Sequence, residues 1–509
     1  MKTTILILAL FTTTICLAGW TRTYGGSSGD EGNSVAQTSD GGYIVAGTTE
    51  SFGAGSGDVY LVKTDGLGDT IWTRTYGGSG YDKGWSVAQT SDGGYIVAGE
   101  THSFGAGYSD VYLVKTDAVG DTIWTRTYGG SNLDWGWSVA QTSDGGYIVA
   151  GRTESFGAGW NDVYLVKTDA VGDTIWTRTY GGSDDDFGFS VAQTSDGGYI
   201  VAGTYAYGWE AGTADVYLVK TDAVGDTIWT RTYGGSDDDY GYSVAKTSDG
   251  GYIVAGIYDY DWETETCDVY LVKTDSVGDT IWTRTYGGSD YDEGFSVAQT
   301  SDGGYIVAGK TRSFGAGSGD VYLVKTDAVG DTIWTRTYGG SDDEWGKSVA
   351  QTSDGGYIVA GYTGSFGAGH YDVYLVKTDS LGYTAIEEKP SAKPEAFTIT
   401  AHPNPFNSAV TINVNFSPCQ GGDVRRTEGV NIEIFDLNGR RLETLRPSAT
   451  SGTGPSGLEK GGTNSTPLHK GGQGGSYVWQ PSPSIGSGIY LVRATVGDES
   501  TSKRIVYLK

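Results

Sequence analysis

Cysteine, histidine, methionine and proline are all scarce in this chain: 509 residues hold three Cys, four His, one Met and ten Pro. Cys16 falls in the first eighteen residues, and Cys267 and Cys419 fall in different parts of the chain, so a disulfide framework is not the stabilising device. His102, His370, His402 and His469 form no metal-ligand spacing such as H-E-x-x-H, and no C-x-x-C pair occurs. Positive charge is also short, with 34 Lys and Arg against 62 Asp and Glu. From Glu387 onward eleven acidic residues face thirteen basic ones, so the net −28 of the chain comes from a −30 region over residues 1–386. Such a field argues against nucleic acid and anionic membrane surfaces as partners and suits solubility outside a cell. No stretch keeps apolar residues at helical spacing for the length of a helix. Beyond Ile5–Phe11 no apolar run approaches the length of a membrane span, so no transmembrane segment is expected in the mature chain.

What the chain has instead is glycine (84), tyrosine (36), tryptophan (15) and one restated passage. Its third copy reads WTRTYGGSNLDWGWSVAQTSDGGYIVAGRTESFGAGWNDVYLVKTDAVGD, and its tryptophan recurs at Trp20, Trp72, Trp124, Trp176, Trp229, Trp282 and Trp334. The intervals are 52, 52, 52, 53, 53 and 52 residues, a period that means a repeat architecture. Each copy holds four short runs rich in Val, Ile, Thr, Tyr and Trp, which suit a pleated surface. They are A (SVAQT, Ser138–Thr142), B (GYIVAG, Gly146–Gly151), C (DVYLVKT, Asp162–Thr168) and D (DTIWTRTY, Asp173–Tyr180). Turns with glycine where left-handed geometry is expected join A to B and C to D. One repeat is thus a four-stranded antiparallel meander that cannot bury both faces alone. Seven copies arranged radially solve this, so the fold class is all-β: a seven-bladed propeller over residues 19–386, with a linear β-solenoid as runner-up.

The last copy supplies A, B and C but lacks the TRTYGG run, with Ile386 at the tryptophan position. The only unpaired D strand is the first, Trp20–Gly25. It is expected to pair with Val373–Lys377 and close the ring, removing two open edges.

The run DVYLVKTDAVGDTIWTRTYGGS, followed by an Asp and GGYIVAG, resembles the bacterial SBBP-type β-propeller repeat, with Asp169, Gly172 and Trp176 at the matching spacing. The resemblance covers about residues 20–380. It implies the propeller fold and little about activity.

The copies differ chiefly in the D–A and B–C loops, which a meander places on one face. The A–B and C–D turns of the other face hardly change. Loops on a rigid scaffold carry function, so the variable face is the expected binding surface. Its candidate ligand-binding residues are Trp135, Trp160, Tyr207, Trp209, Glu210, Tyr258, Asp259, Asp261, Trp262 and Glu263. Rings beside carboxylates suit stacked sugars or a protein partner anchored by aromatics. Trp209, Glu210, Asp261 and Trp262 share the B–C position in adjacent blades and are expected on one rim. The regularly recurring Trp85, Trp137, Phe189, Tyr242 and Phe295, just before strand A, read as packing between blades.

Asp184 with Asp186, and Asp237 with Asp239, place carboxylates two apart in a turn, as calcium could use. The competing reading is that Asp30, Asp82, Asp134, Asp186, Asp239 and Asp292 cap their own turns. No other cofactor is suggested. The expected function is a secreted or surface protein that binds carbohydrate or protein. A structural or adhesive component without a discrete ligand is the alternative. A polysaccharide-acting enzyme ranks third, since carboxylate pairs occur without a distinguishing motif.

At the N-terminus Lys2, the apolar Ile5–Phe11 and Cys16-Leu17-Ala18 read as a secretory signal peptide over residues 1–18. Residues 387–398 read as a charged, Pro-containing linker. Alternating short runs over 399–509 predict a small Ig-like β-sandwich with a low-complexity insertion at 446–476. Four blocks in this tail resemble the C-terminal sorting domain of type IX secretion cargo. They are Pro403-Asn404-Pro405-Phe406-Asn407, Ile434–Arg440 with Gly439 and Arg440, Ser487–Tyr490 with Gly488 and Tyr490, and the ending Lys503-Arg504-Ile505-Val506. The resemblance implies the type IX machinery as a partner and export through the periplasm to the surface or the medium.

Overall fold

The structure, a computed structural model, describes residues 19–207 and 213–384, and in the C-terminal part 397–402, 404, 407–416, 430–436, 440–445, 474–496 and 499–509. Every regular element among them is a β-strand. The chain divides into two compact units, Met1–Glu387 and Glu388–Lys509. The signal-peptide region, nearly all of the linker and most of the 446–476 insertion lie outside the described residues.

The first unit is seven four-stranded antiparallel sheets, each ordered A-B-C-D. In blade 3 these are Asp134–Gln141, Tyr147–Thr153, Asp162–Thr168 and Thr174–Tyr180. Strands B and C are buried along almost their whole length, so each blade is a slab packed between its neighbours. The A–B and C–D connections share one geometry. In blade 1 the Gly41 N–H donates to Thr38 O, the Thr38 N–H donates to Gly42 O, and Gly41 has φ of 84°. This is a type I turn closed by a left-handed glycine.

Strand A is longer than its SVAQT run: in blade 3 it begins at Asp134, four residues earlier. Gly136 pairs with Gly151, and the register then shifts between Gly136 and Ser138, so Trp137 occupies a bulge. The bulge breaks the alternation that marks a strand, which is why this segment reads as loop in the sequence. The glycine pair is required, because a Cβ on Gly151 would lie 1.7 Å from the Trp135 carbonyl oxygen.

The ring closes as expected. Trp20–Tyr24 pairs antiparallel with the last C strand, Trp20 opposite Lys377 and Tyr24 opposite Val373. This seam carries the same contacts as the other six. The Tyr24 hydroxyl donates to Gly68 O at 2.6 Å, and six further tyrosines repeat the bond to the next blade. The Val35 N–H donates to Ser348 Oγ at 3.2 Å, and equivalent bonds run around the ring. Each D-strand tryptophan meets the B-strand tyrosine of the following blade, edge-on in six seams, as Trp20 does Tyr43 at 5.8 Å, and tilted between Trp229 and Tyr252 at 6.1 Å.

The second unit is a two-sheet sandwich. One sheet joins Phe397–His402, Val410–Phe416 and Gly474–Trp479; the other joins Arg441–Leu445, Val430–Phe435, Gly488–Val496 and Glu499–Tyr507. Val410, Ile412 and Trp479 from the first sheet and Ile432, Ile434, Val492 and Ile505 from the second form one core. The strands at Phe397 and Gly474 start two and three residues earlier than the boundaries expected from composition.

Candidate binding site

Strand A runs from the D–A loop toward the A–B turn, so its first half and the end of strand B lie at the variable face. The A strands of adjoining blades are neighbours and form the wall of the central channel. Three columns of the repeat vary there. The first, two residues before the bulge, is Glu31, Lys83, Trp135, Phe187, Tyr240, Glu293 and Trp345. The second, at the bulge, is Asn33, Trp85, Trp137, Phe189, Tyr242, Phe295 and Lys347. The third lies on strand B opposite the first: Thr48, Glu100, Arg152, Thr204, Ile257, Lys310 and Tyr362. Variation therefore gathers at the channel mouth as well as in the loops.

One arc of the mouth is aromatic. Trp137 and Phe189 lie 4.6 Å apart between ring centres, Phe189 and Tyr242 5.2 Å, and Tyr242 and Phe295 5.4 Å. These rings bridge neighbouring blades, as their recurrence suggests, yet they remain half-exposed. The remaining arc is charged. Lys83 Nζ pairs with Glu31 at 2.8 Å, and Lys310 Nζ pairs with Asp343 at 2.8 Å. Arg152 lies 3.6 Å above the Trp135 ring, and Lys347 Nζ lies 3.5 Å from the Phe295 ring centre and 4.1 Å from that of Trp345.

Burial perturbs these groups. It pushes the Glu100 carboxyl up to about 7 against the pull of Lys83 and Arg152. It also raises Glu293, against the nearby cations and the hydrogen bond from Tyr291. Lys347 moves down to about 8, again through burial first, with Glu293 and Glu31 opposing. Several polar atoms at the mouth have no hydrogen-bond partner among the described residues, including Glu100 Oε2, Glu293 Oε2 and Arg152 Nε. A cavity of about 540 Å³ opens between blades 7, 1 and 2, lined by Glu31, Thr48, Glu50, Tyr81, His370 and Tyr371 among others.

The residues expected at the site are dispersed. Trp135 belongs to the channel mouth rather than to a loop, and it is clamped beneath Arg152. Trp160 is 82 % exposed at its loop and Trp262 61 %. Trp262 donates from Nε1 to Asp238 Oδ2 at 2.6 Å and meets Tyr260 edge-on at 4.7 Å. Tyr258 packs on Tyr270 at 4.9 Å. Asp259 is in the left-handed region, with φ of 59°, and its N–H donates to Asp239 Oδ1. Asp261 is absorbed by its own turn, accepting from the Glu263 N–H and the Thr264 hydroxyl, while the Glu263 side chain is exposed. Tyr207 ends a strand whose side chain there is not described, and Trp209 and Glu210 lie outside the described residues. Their shared rim with Asp261 and Trp262 is therefore not on view.

The recurring aspartates cap their turns: Asp186 Oδ2 accepts from the Gly182 N–H and Asp239 Oδ2 from the Gly235 N–H, both at 2.6 Å. Asp184 and Asp237 stand outside that bond. Among the described residues no three His, Cys, Asp or Glu side chains converge as a metal site. In the sandwich, Asn404 reaches the last strand, donating to Arg504 O and accepting from the Val506 N–H at 2.7 Å. Arg440 pairs with Asp436 at 3.0 Å, and the Tyr490 hydroxyl donates to Gly486 O. Gly488 pairs with Tyr507, and Lys503 is half-buried; Asn407 is exposed. Pro403, Pro405, Phe406 and Gly439 lie outside the described residues.

Sequence reasoning missed Lys83, Arg152, Lys310, Lys347, Glu293 and Trp345. The signal was present as varying columns at fixed offsets from GYIVAG and SVAQT, but the bulge hides that these columns share a wall.

No protein-family model matches the sequence. The regulatory protein FlaEY of Caulobacter vibrioides is 27 % identical over 257 residues, covering 41 % of this chain and 27 % of that protein. The chain thus spans about a quarter of that relative's length. Among solved structures, a fungal alcohol oxidase of the AA5 family in complex with copper is 12 % identical, covering 97 % of this chain and 99 % of that one, with a TM-score of 0.43. A GH43 β-1,3-galactosidase is 11 % identical over 72 % of this chain and 96 % of that one, with a TM-score of 0.29. Likeness at this level carries no activity across to this chain.

Proposed function

We propose that this chain is an extracellular binding propeller that recognises carbohydrate or protein through its variable face. One observation carries the reading: within near-identical repeats, side chains differ mainly on one face, in its loops and around that end of the channel, while the seams and the opposite turns stay constant. A fixed scaffold with a varied rim is how rigid repeat folds present a binding surface. The test is a glycan array, with affinity capture from the native surroundings, on the full chain and on a variant carrying Trp160→Ala and Trp262→Ala. Retention of a glycan or protein that the variant loses supports the reading. Equal behaviour of both, across glycans and proteins, removes the loops from it.

The route outward is part of the same proposal. Residues 1–18 serve as a signal peptide and the sandwich as a type IX sorting domain. The bond network that ties Asn404 to the strand holding Lys503 and Arg504 supports treating the first and last blocks as one recognition element. Deleting Pro403–Lys509 leaves all seven blades intact and is expected to trap a folded propeller in the periplasm. Normal surface delivery of the truncated chain would end the sorting role.

A further inference from the structure

Lys347 is the single cation in the bulge column, at a position where five of the other six blades place an aromatic ring. Its ammonium sits against the faces of Phe295 and Trp345. Among the described residues no carboxylate lies within ion-pair distance of it, whereas Lys83 and Lys310 each have one at 2.8 Å. A cation so placed is stabilised by the ring quadrupoles but keeps its hydrogen-bond donors unspent. Three or four blades away across the ring stands the Trp137–Phe189 pair, half-exposed and tilted by 31°. An aromatic pair and a cation without a carboxylate at ion-pair distance thus stand on opposite sides of the ring of A strands.

We infer that the channel mouth binds a sugar bearing a single carboxylate, its ring stacked on the Trp137–Phe189 wall and its carboxylate paired with Lys347. This rests on the binding function proposed above and names its ligand class. The whole-chain field favours one charge over many: a polyanion would be repelled by the −30 region, whereas a monovalent ligand meets that cost once. A pyranose ring offers C–H faces to the half-exposed aromatics and a carboxylate to Lys347. Burial already holds Lys347 at about 8, with Glu293, Glu31, Lys83 and Lys310 the charged groups around it. Only the protonated amine can pair with a carboxylate. Affinity is therefore expected to be full between the ligand carboxyl's own titration range and that value, and to fall as pH rises through it.

The experiment is isothermal titration of the full chain with a glucuronic-acid-terminated oligosaccharide, its methyl ester, and an acidic peptide ending in a free carboxylate. Binding of the uronate is expected, weakened by about tenfold or more in the ester and in Lys347→Met, a change of about 1.4 kcal/mol. Lys347→Arg is expected to keep the affinity and carry it to higher pH. Unchanged melting temperatures keep folding out of the comparison. Uronate and ester binding equally, the peptide binding in place of the uronate, or Lys347→Met binding like the parent chain would each overturn the inference. A glycan or protein ligand that depends on Trp160 and Trp262 but not on Lys347 would do so while leaving the broader function standing.

Discussion

At the residue scale, the seams are built from bonds repeated seven times, so one copy can be cut and its worth read directly. The Tyr128 hydroxyl donates to Gly172 O at 2.6 Å in a buried seam. Tyr128→Phe removes that donor, keeps the ring, and is expected to cost about 1–2 kcal/mol in urea unfolding, since the carbonyl loses a buried partner. Gly151→Ala is expected to cost more. Its methyl would meet the Trp135 carbonyl at 1.7 Å, so the strands must part and the bulge that positions Trp137 must shift. A smaller loss for Gly151→Ala than for Tyr128→Phe would mean that the A–B register is not fixed by this glycine. Invariant residues of this kind were legible, because seven copies report one role. Arg152 and Lys347 were not, because each occurs once in its column and the bulge hides that these varying columns share one wall.

At the scale of the element, the first strand holds the ring shut. Trp20–Tyr24 lies five residues deep against Val373–Lys377, and Trp20 and Tyr24 are both buried in the seam to Tyr43 and Gly68. Deleting Gly19–Gly25 would expose a long flat edge of DVYLVKT, the sequence most suited in this chain to pair with another copy. Concentration-dependent light scattering and a lowered melting temperature are the expected results. A monodisperse deletion variant with the parent melting temperature would show that the latch is dispensable. This closure could be read from the sequence because counting settles it: seven copies of each strand and one D strand out of place. The start of strand A could not, since Asp-Trp-Gly-Trp carries no alternation until the bulge at Trp137 is seen. The channel mouth was therefore divided in the sequence between a loop and a packing column.

At the scale of the whole molecule, two populations of carboxylates pull stability in opposite directions with pH. Asp40, Asp92, Asp144, Asp196 and Asp249 each hold a buried lysine of their blade, as Lys63 pairs with Asp40 at 2.9 Å. Burial works to raise these acids, but bonds from a threonine hydroxyl, the lysine and a glycine N–H outweigh it and bring them to about 2. A depressed acid contributes stability above its unfolded value, and that contribution is lost as pH falls toward about 2. Because these aspartates are more than half exposed, each is worth little, and the effect comes from repetition. Glu100 at about 7 and Asp239 at about 6 behave oppositely, since burial makes their charged forms costly. Between the unfolded values and these raised ones the folded chain binds more protons, so stability falls as pH climbs through that window. The −30 region adds self-repulsion in the same direction. The melting temperature is thus expected to peak at about pH 4–5 and to decline on both sides. Calorimetry of the full chain across this range checks the shape, and Glu100→Gln isolates one limb. It should raise the melting temperature near neutral pH relative to the parent and leave the acid limb where it was. A parent curve that rises steadily to pH 7, or a Glu100→Gln curve that parallels it throughout, would mean that the buried glutamate is fully paired and the channel mouth is electrostatically satisfied without a ligand.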